Sequence, residues 1–210
     1  MLAGFIGKLS HRLSDWRDAA LDRAYGIETC DLVATPRGVG EHPGHGYHYE
    51  PIQVAVFRRI MAALPLDPKR HTFVDYGSGK GRALVLAAES GFRRIIGVEY
   101  ASALHEVAKR NVARFCSANR AGASIELHCA DAAAFELPAE DLVCFFYNPF
   151  DDVVMRKVLS NIERSLQLRP RRILVVYRNP KHASVLSECR FLRCLTRNAS
   201  FEIHEALAPD

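Results

Sequence analysis

The chain has 210 residues, 49% of them apolar and 25% charged, the balance of one globular domain with a substantial core. Its formal charge of +4 tolerates an anionic partner without demanding one, and the basic clusters Arg93-Arg94, Lys109-Arg110 and Arg169 to Arg172 are scattered, not gathered into the stripe of a dedicated nucleic-acid binder. The sequence carries no repeat, no low-complexity tract and no apolar run long enough to span a bilayer.

Six cysteines, Cys30, Cys116, Cys129, Cys144, Cys189 and Cys194, form no CxxC pair, so zinc-ribbon spacing is excluded. Cys129 and Cys144 fall in apolar, strand-like runs, where a free thiol acts as a small hydrophobe. Lys8 interrupts the early apolar stretch, no secretory signal is read, and a reduced, cytoplasmic protein is expected.

In chain order, Leu2, Phe5, Ile6, Leu9, Leu13, Trp16 and Ala20 share one helical face, with Lys8, Arg12, Asp15 and Asp18 elsewhere. An amphipathic helix covering the domain is expected. Peripheral contact with a membrane surface is the competing role, weakened by the interleaved Asp15, Asp18 and Asp22. A Gly-, Pro- and His-rich loop follows over Gly26 to Pro51, of a length typical of lids and binding loops. His42, His45 and His48 recur in it every three residues, but no regular element aims them and no metal site is expected. Residues 1–50 thus read as an extension and 51–210 as the main domain. Pro51 suits the first position of a helix whose apolar side is Val54, Ala55, Phe57, Ile60, Met61 and Leu64.

From there strands and helices alternate. "HTFVDYG", "RRIIGVEY", "SIELHCAD", "DLVCFFYNP" and "RRILVVYRNP" read as strands, with helices between them that include Ser102 to Asn119 and Asp151 to Leu168. "FLRCLTR" and "FEIHEAL" close the chain as an antiparallel pair. The fold class expected is α/β, a doubly wound and mostly parallel seven-stranded sheet with a C-terminal antiparallel hairpin and an N-terminal helical extension. Ligands of such sheets bind at the carboxyl ends of the strands.

"DYGSGKGR" joins the first strand to its helix, with Asp75, Gly77, Ser78, Gly79 and Gly81 in sequence. The P-loop pattern GxxxxGK[ST] is absent, and Arg82 stands where GxGxxG would need its last glycine. Glu99 ends the second strand 24 residues after Asp75, where a carboxylate can accept hydrogen bonds from both hydroxyls of a ribose. Asp131 ends the third strand, within reach of an adenine amino group.

With these residues in place, the chain from Pro51 to the C-terminus resembles class I S-adenosylmethionine-dependent methyltransferases. The resemblance implies that Asp75 and the Gly77–Gly81 backbone cradle the methionine half and ribose of S-adenosyl-L-methionine. It also implies that Glu99 holds the ribose diol, that Tyr100 packs on adenine, and that Asp131 and Ala132 hold the adenine edge. More narrowly, "YHYEP", "DYGSGKGR", "GVEY" and "YNPF" together resemble small bacterial methyltransferases of unassigned substrate, which look related to the non-SET protein-lysine methyltransferases. There a loop ahead of the core closes over the cofactor, and Tyr49 to Pro51 correspond to it, with Ile52 where those families commonly carry Thr.

Methyl transfer from a sulfonium is an in-line displacement with a neutral leaving group, so the enzyme must align a lone pair and exclude water. The Asn148 side-chain carbonyl and the Pro149 backbone carbonyl can hold the N–H bonds of an amine nucleophile, and Tyr147 and Phe150 can stack on it or flank it as a cation. The stretch resembles the [DNS]PP[YF] motif of enzymes that methylate adenine N6 or glutamine amide nitrogen, with one proline in place of two. The bland alternative makes Asn148 the cap of the next helix. "YRNP", Tyr177 to Pro180, is an echo of the motif that reads as a turn. The function expected is N-methylation of a protein lysine or another protein nitrogen. The alternatives are a nucleic-acid base or a small-molecule nitrogen, and, in another class, a cofactor-binding scaffold without catalysis.

Overall fold

The structure is a computed structural model and describes residues 16–31, 49–118 and 122–207. The apolar positions Leu2 to Leu13 and the histidines His42, His45 and His48 lie outside the described residues.

Strands β1 (Thr72–Tyr76), β2 (Arg94–Glu99), β3 (Ser124–Cys129), β4 (Leu142–Tyr147) and β5 (Ile173–Arg178) pair in parallel, and β6 (Leu192–Arg197) and β7 (Phe201–Ala206) close the sheet. The order is β3-β2-β1-β4-β5-β7-β6, with β7 antiparallel to both β5 and β6. The expected class and the terminal pair are both found. β1 and β4 are neighbours although the chain leaves β1 for β2 and β3 before returning. That reversal opens a crevice at the carboxyl ends of β1 and β4.

The central strands are apolar on both faces because helices cover both. One layer holds residues 16–25 (α1), α2 (Val54–Ala62), α3 (Arg82–Glu89) and α4 (Ser102–Ala118), packed around Phe57, Phe73, Leu84 and Phe145. The other holds α5 (Asp152–Leu168) and α6 (Ala183–Glu188), packed around Tyr76, Phe146, Met155 and Val175. β3, at the edge, keeps Glu126 and His128 half-exposed, and its Cys129 is exposed while Cys144 is buried in β4. Only Cys144 therefore acts as the expected apolar filler.

Three local readings change. α2 begins at Val54 behind Gln53, not at Pro51, because the Val54 N–H is held by Asp18 Oδ1 at 2.9 Å. α5 is capped by Asp151, whose side chain accepts from the Val153 and Val154 N–H groups. Asn148 is thereby released from the capping role. In α1, Trp16 is 64% exposed and Asp18 only 8%, the reverse of the apolar face expected. The inward stripe is Asp18, Leu21, Asp22 and Tyr25, at i, i+3, i+4 and i+7.

Candidate active site

The glycine loop leaves β1 at the crevice. The Gly77 and Ser78 N–H groups donate to the Val98 carbonyl at 2.8 and 3.1 Å, tying the loop to β2. The Gly79 N–H donates to Glu99 Oε2 at 2.7 Å and the Ala101 N–H to Glu99 Oε1 at 2.8 Å. The Tyr100 N–H also bonds this carboxylate, which leaves it one lone pair for a further donor. Gly77 and Gly79 have φ of +80° and +53°, in the left-handed region. A Cβ on Gly77 would fall 2.3 Å from Pro149 Cβ, and one on Gly79 would fall 2.3 Å from the Tyr49 ring. Absence of a side chain thus lets the loop touch both the end of β4 and the segment ahead of the core. Gly81 opens α3 as its N-cap.

Asp75 lies in β1 between Gly97 of β2 and Phe145 of β4. Burial, with Glu99 nearby, pushes its carboxyl up to about 8. Burial also raises Glu99, against the pull of the N–H groups it accepts. The Asp75 proton is bound more tightly in the folded than in the unfolded chain, so its stabilising contribution is complete below the unfolded value of 3.8 and is lost as pH rises through about 8. An Asp75→Asn variant carries no such proton. Thermal melts of the protein alone are expected to show the variant gaining on wild type between pH 5 and pH 8, with weaker binding of the site's ligand. A difference in Tm that stays constant over that range would refute the buried-carboxyl account.

The remaining expected cofactor residues lie in this loop or just after β2 and β3. Ser78 is buried, and its Oγ has no hydrogen-bond partner among the described residues. Tyr100 is 38% exposed at the rim. Asp131 Oδ1 accepts from the Ala133 N–H at 2.8 Å, which shapes the turn after β3, and Ala132 packs half-buried on the second layer.

The N-terminal segment is fastened to the loop by a residue sequence reasoning passed over. Arg82, 2% exposed in the first turn of α3, pairs with Asp18 at 3.3 Å and Asp22 at 3.5 Å. It also donates to Thr29 Oγ1 at 2.7 Å and to Cys30 Sγ at 2.9 Å. A lone arginine opening the apolar run "ALVLAA" was the available signal. Asn111, in α4, joins the Glu28 backbone to the Lys80 carbonyl. Tyr49 Oη donates to the Thr29 carbonyl at 2.9 Å while its ring covers Gly79. Lys80 Nζ sits 5.4 Å from the centroid of that ring and donates to the Asp31 carbonyl.

At the end of β4, Asn148 is 8% exposed with φ +42°, a conformation Asn tolerates better than most residues. Its Oδ1 accepts from Tyr177 Oη at 3.1 Å. Tyr147 is half-buried, hydrogen-bonded to Glu50, with the Arg178 guanidinium 5.4 Å from its ring centroid. Burial, then the Glu50 carboxylate, pushes its phenol up. Phe150 does not join Tyr147 in one clamp. It is buried in the second layer, edge-on to Phe146, whereas Tyr147 packs on the first. Among the described residues, no group of His, Cys, Asp and Glu side chains could hold a metal ion, and no helix is long and apolar enough to cross a membrane.

Residues 73–168 match the family model of a methyltransferase domain. No curated protein sequence matches the chain. Among solved structures, the chain is similar to a ribosomal protein L11 methylase from Lactobacillus delbrueckii subsp. bulgaricus, at 14% identity over 74% of this chain and 78% of that one, TM-score 0.51. It is similar to an RNA methyltransferase from Salinibacter ruber, in complex with S-adenosyl-L-homocysteine, at 17% identity over 77% and 95%, TM-score 0.54. It is also similar to a predicted N6-adenine-specific DNA methylase from Listeria monocytogenes, at 16% identity over 76% and 52%, TM-score 0.54. At such identities these are likenesses of fold. The chain has the Rossmann-like methyltransferase fold, the fold in which the Salinibacter ruber structure holds S-adenosyl-L-homocysteine. The paired carboxylates Asp75 and Glu99, the buried Ser78 hydroxyl and the open rim at Tyr100 fit that group.

Proposed function

We propose that this S-adenosylmethionine-dependent methyltransferase methylates nitrogen, with a protein lysine or another protein nitrogen as acceptor. The observation that carries the reading is the meeting of Pro149, next to Asn148, with the glycine loop at Gly77, while Asp151 takes over the capping of α5. An asparagine left over from capping, one residue before the proline that touches this loop, is available to orient a nucleophile. S-adenosylmethionine supplies a methyl group on a sulfonium, activated without a metal. The Asn148 and Pro149 carbonyls accept the N–H bonds of the incoming amine and direct its lone pair. Glu50, exposed and bonded to Tyr147, supplies negative charge at the rim for an ammonium. A lysine must first lose a proton from a solution pKa near ~10.4, and desolvation beside Tyr147 favours that loss.

The arginine clusters support a protein acceptor over nucleic acid. Arg94 opens β2 and pairs with Glu126 and Glu140. Arg172 lies just ahead of β5 and pairs with Glu205. Both sit at the amino ends of the strands, away from the crevice, with their charge partly spent.

Asn148→Ala is expected to lower turnover by tens-fold, about 2–3 kcal/mol of transition-state stabilisation, and to leave S-adenosylmethionine affinity nearly intact. Transfer of tritiated methyl from S-adenosylmethionine into a cell lysate, followed by protease or nuclease, tests the acceptor class. Label released by protease alone is the expected result. Label released by nuclease alone, or equal turnover of variant and wild type, would sink the proposal.

A further inference from the structure

The second Asn-Pro turn, "YRNP", has a place in this site that the reading above does not use. β4 and β5 are parallel neighbours in register, Phe146 beside Tyr177 and Tyr147 beside Arg178. Both strands then end in Asn-Pro with the asparagine left-handed, Asn148 at φ +42° and Asn179 at φ +50°. The two strand ends are therefore matched turns side by side. The second delivers two groups to the first. The Arg178 guanidinium lies against the Tyr147 ring, and the Tyr177 phenol reaches the Asn148 side chain.

Tyr177 is fully buried in the second apolar layer, edge-on to Phe146, so its ring has little freedom to move. The atom of Asn148 that it meets is the carbonyl oxygen. The Lys181 backbone N–H points at the same atom from 3.5 Å, and a backbone N–H can only donate. That separation is too long for a strong competitor, so the phenol is the main anchor of the amide. A carbonyl oxygen has two lone pairs. One is taken by Tyr177, which restricts the turning of the amide, and the other meets only the long Lys181 contact, which a stronger donor can displace.

We propose that Tyr177 is a positioning residue for methyl transfer, holding the Asn148 amide in the one orientation from which it can align an acceptor nitrogen. The inference rests on the assignment of Asn148 to acceptor alignment. It adds that a single asparagine, in a motif short of its second proline, is made rigid by the neighbouring strand instead of by its own.

Tyr177→Phe removes one buried oxygen and keeps the ring. The first readout needs no acceptor. In 15N–1H spectra of uniformly labelled protein, the side-chain amide pair of Asn148 is assigned by its loss in Asn148→Ala. That pair is expected to shift or broaden in Tyr177→Phe, while the pair of Asn111, held by Glu28 and Lys80, stays in place. An unmoved Asn148 pair would overturn the proposal. The second readout is tritium transfer into the cell lysate. Tyr177→Phe is expected to lower kcat about tenfold, with KM for S-adenosylmethionine and Tm close to wild type. In the Asn148→Ala background the same change should cost nothing more. Additive losses would show that Tyr177 acts apart from Asn148 and overturn the inference. Full activity of Asn148→Ala would instead defeat the underlying reading of Asn148, and the amide spectra would still decide whether Tyr177 holds it.

Discussion

Arg82→Met is expected to destabilise the fold by about 3–5 kcal/mol, the usual cost of removing one partner from a buried ion pair. Methionine keeps much of the side chain's length and is at home in an apolar helix turn, so packing is not the main loss. The loss is electrostatic. Asp18 and Asp22 have side chains only 12% and 13% exposed, and both face Arg82. Without the guanidinium, two neighbouring carboxylates stay in a poorly solvated place with like charge between them. Thr29 Oγ1, the Ile52 carbonyl and Cys30 Sγ lose a donor at the same time. Adding Asp18→Asn should recover part of the deficit, because an amide oxygen still accepts from the Val54 N–H and no longer repels Asp22. Urea denaturation with an unchanged slope gives both values. A loss below about 1 kcal/mol would mean that the carboxylates find water on their own, and that α1 is a loose cover and not a fastened one.

That network also shows where sequence reading reaches its limit. The strands were legible because fully apolar runs such as "LVCFF" and "ILVVY" are what a sheet covered on both faces demands. The turn after β1 was legible because alternating glycines behind a strand supply the positive φ that Gly77, Gly79 and Gly81 adopt on the way into α3. The docking of α1 was not. Its buried stripe contains two aspartates, and a hydrophobic pattern assigns aspartates to solvent. Their partner stands some sixty residues away, so no local signal joins them. Likewise "NPFDD" offers both Asn148 and Asp151 as caps, and only the backbone conformation decides between them. Phe150 looked like the mate of Tyr147, but three positions apart along an extended chain they face opposite sides of the sheet, and Phe150 shares its side with Phe146. Covalent neighbours were readable, whereas contacts set by how the chain turns back on itself were not.

Gly79→Val is expected to weaken S-adenosylmethionine binding by about 100-fold or more, close to 2.7 kcal/mol, while the sheet remains folded. Two effects act together. At φ +53° a β-branched residue is strained by about 1–3 kcal/mol. The new Cβ would also fall 2.3 and 2.4 Å from Cδ2 and Cε2 of Tyr49, well inside contact distance. Tyr49 cannot simply swing away, because its hydroxyl is tied to the Thr29 carbonyl and Thr29 is held in turn by Asp22 and Arg82. The loop must therefore yield, and with it goes the Gly79 N–H that orients Glu99. Valine thus disturbs the Glu99 carboxylate, the group expected to hold the ribose, without touching it. The two contributions separate in a second variant. Gly79→Val with Tyr49→Ala removes the overlap and leaves the backbone strain. Calorimetric titration with S-adenosylmethionine is expected to show part of the affinity restored, and Gly79→Ala should fall between wild type and valine. Wild-type affinity in Gly79→Val would place the cofactor away from this loop. No recovery in the double variant would mean that Tyr49 is itself a wall of the site, so that removing it costs what the relief of overlap gains.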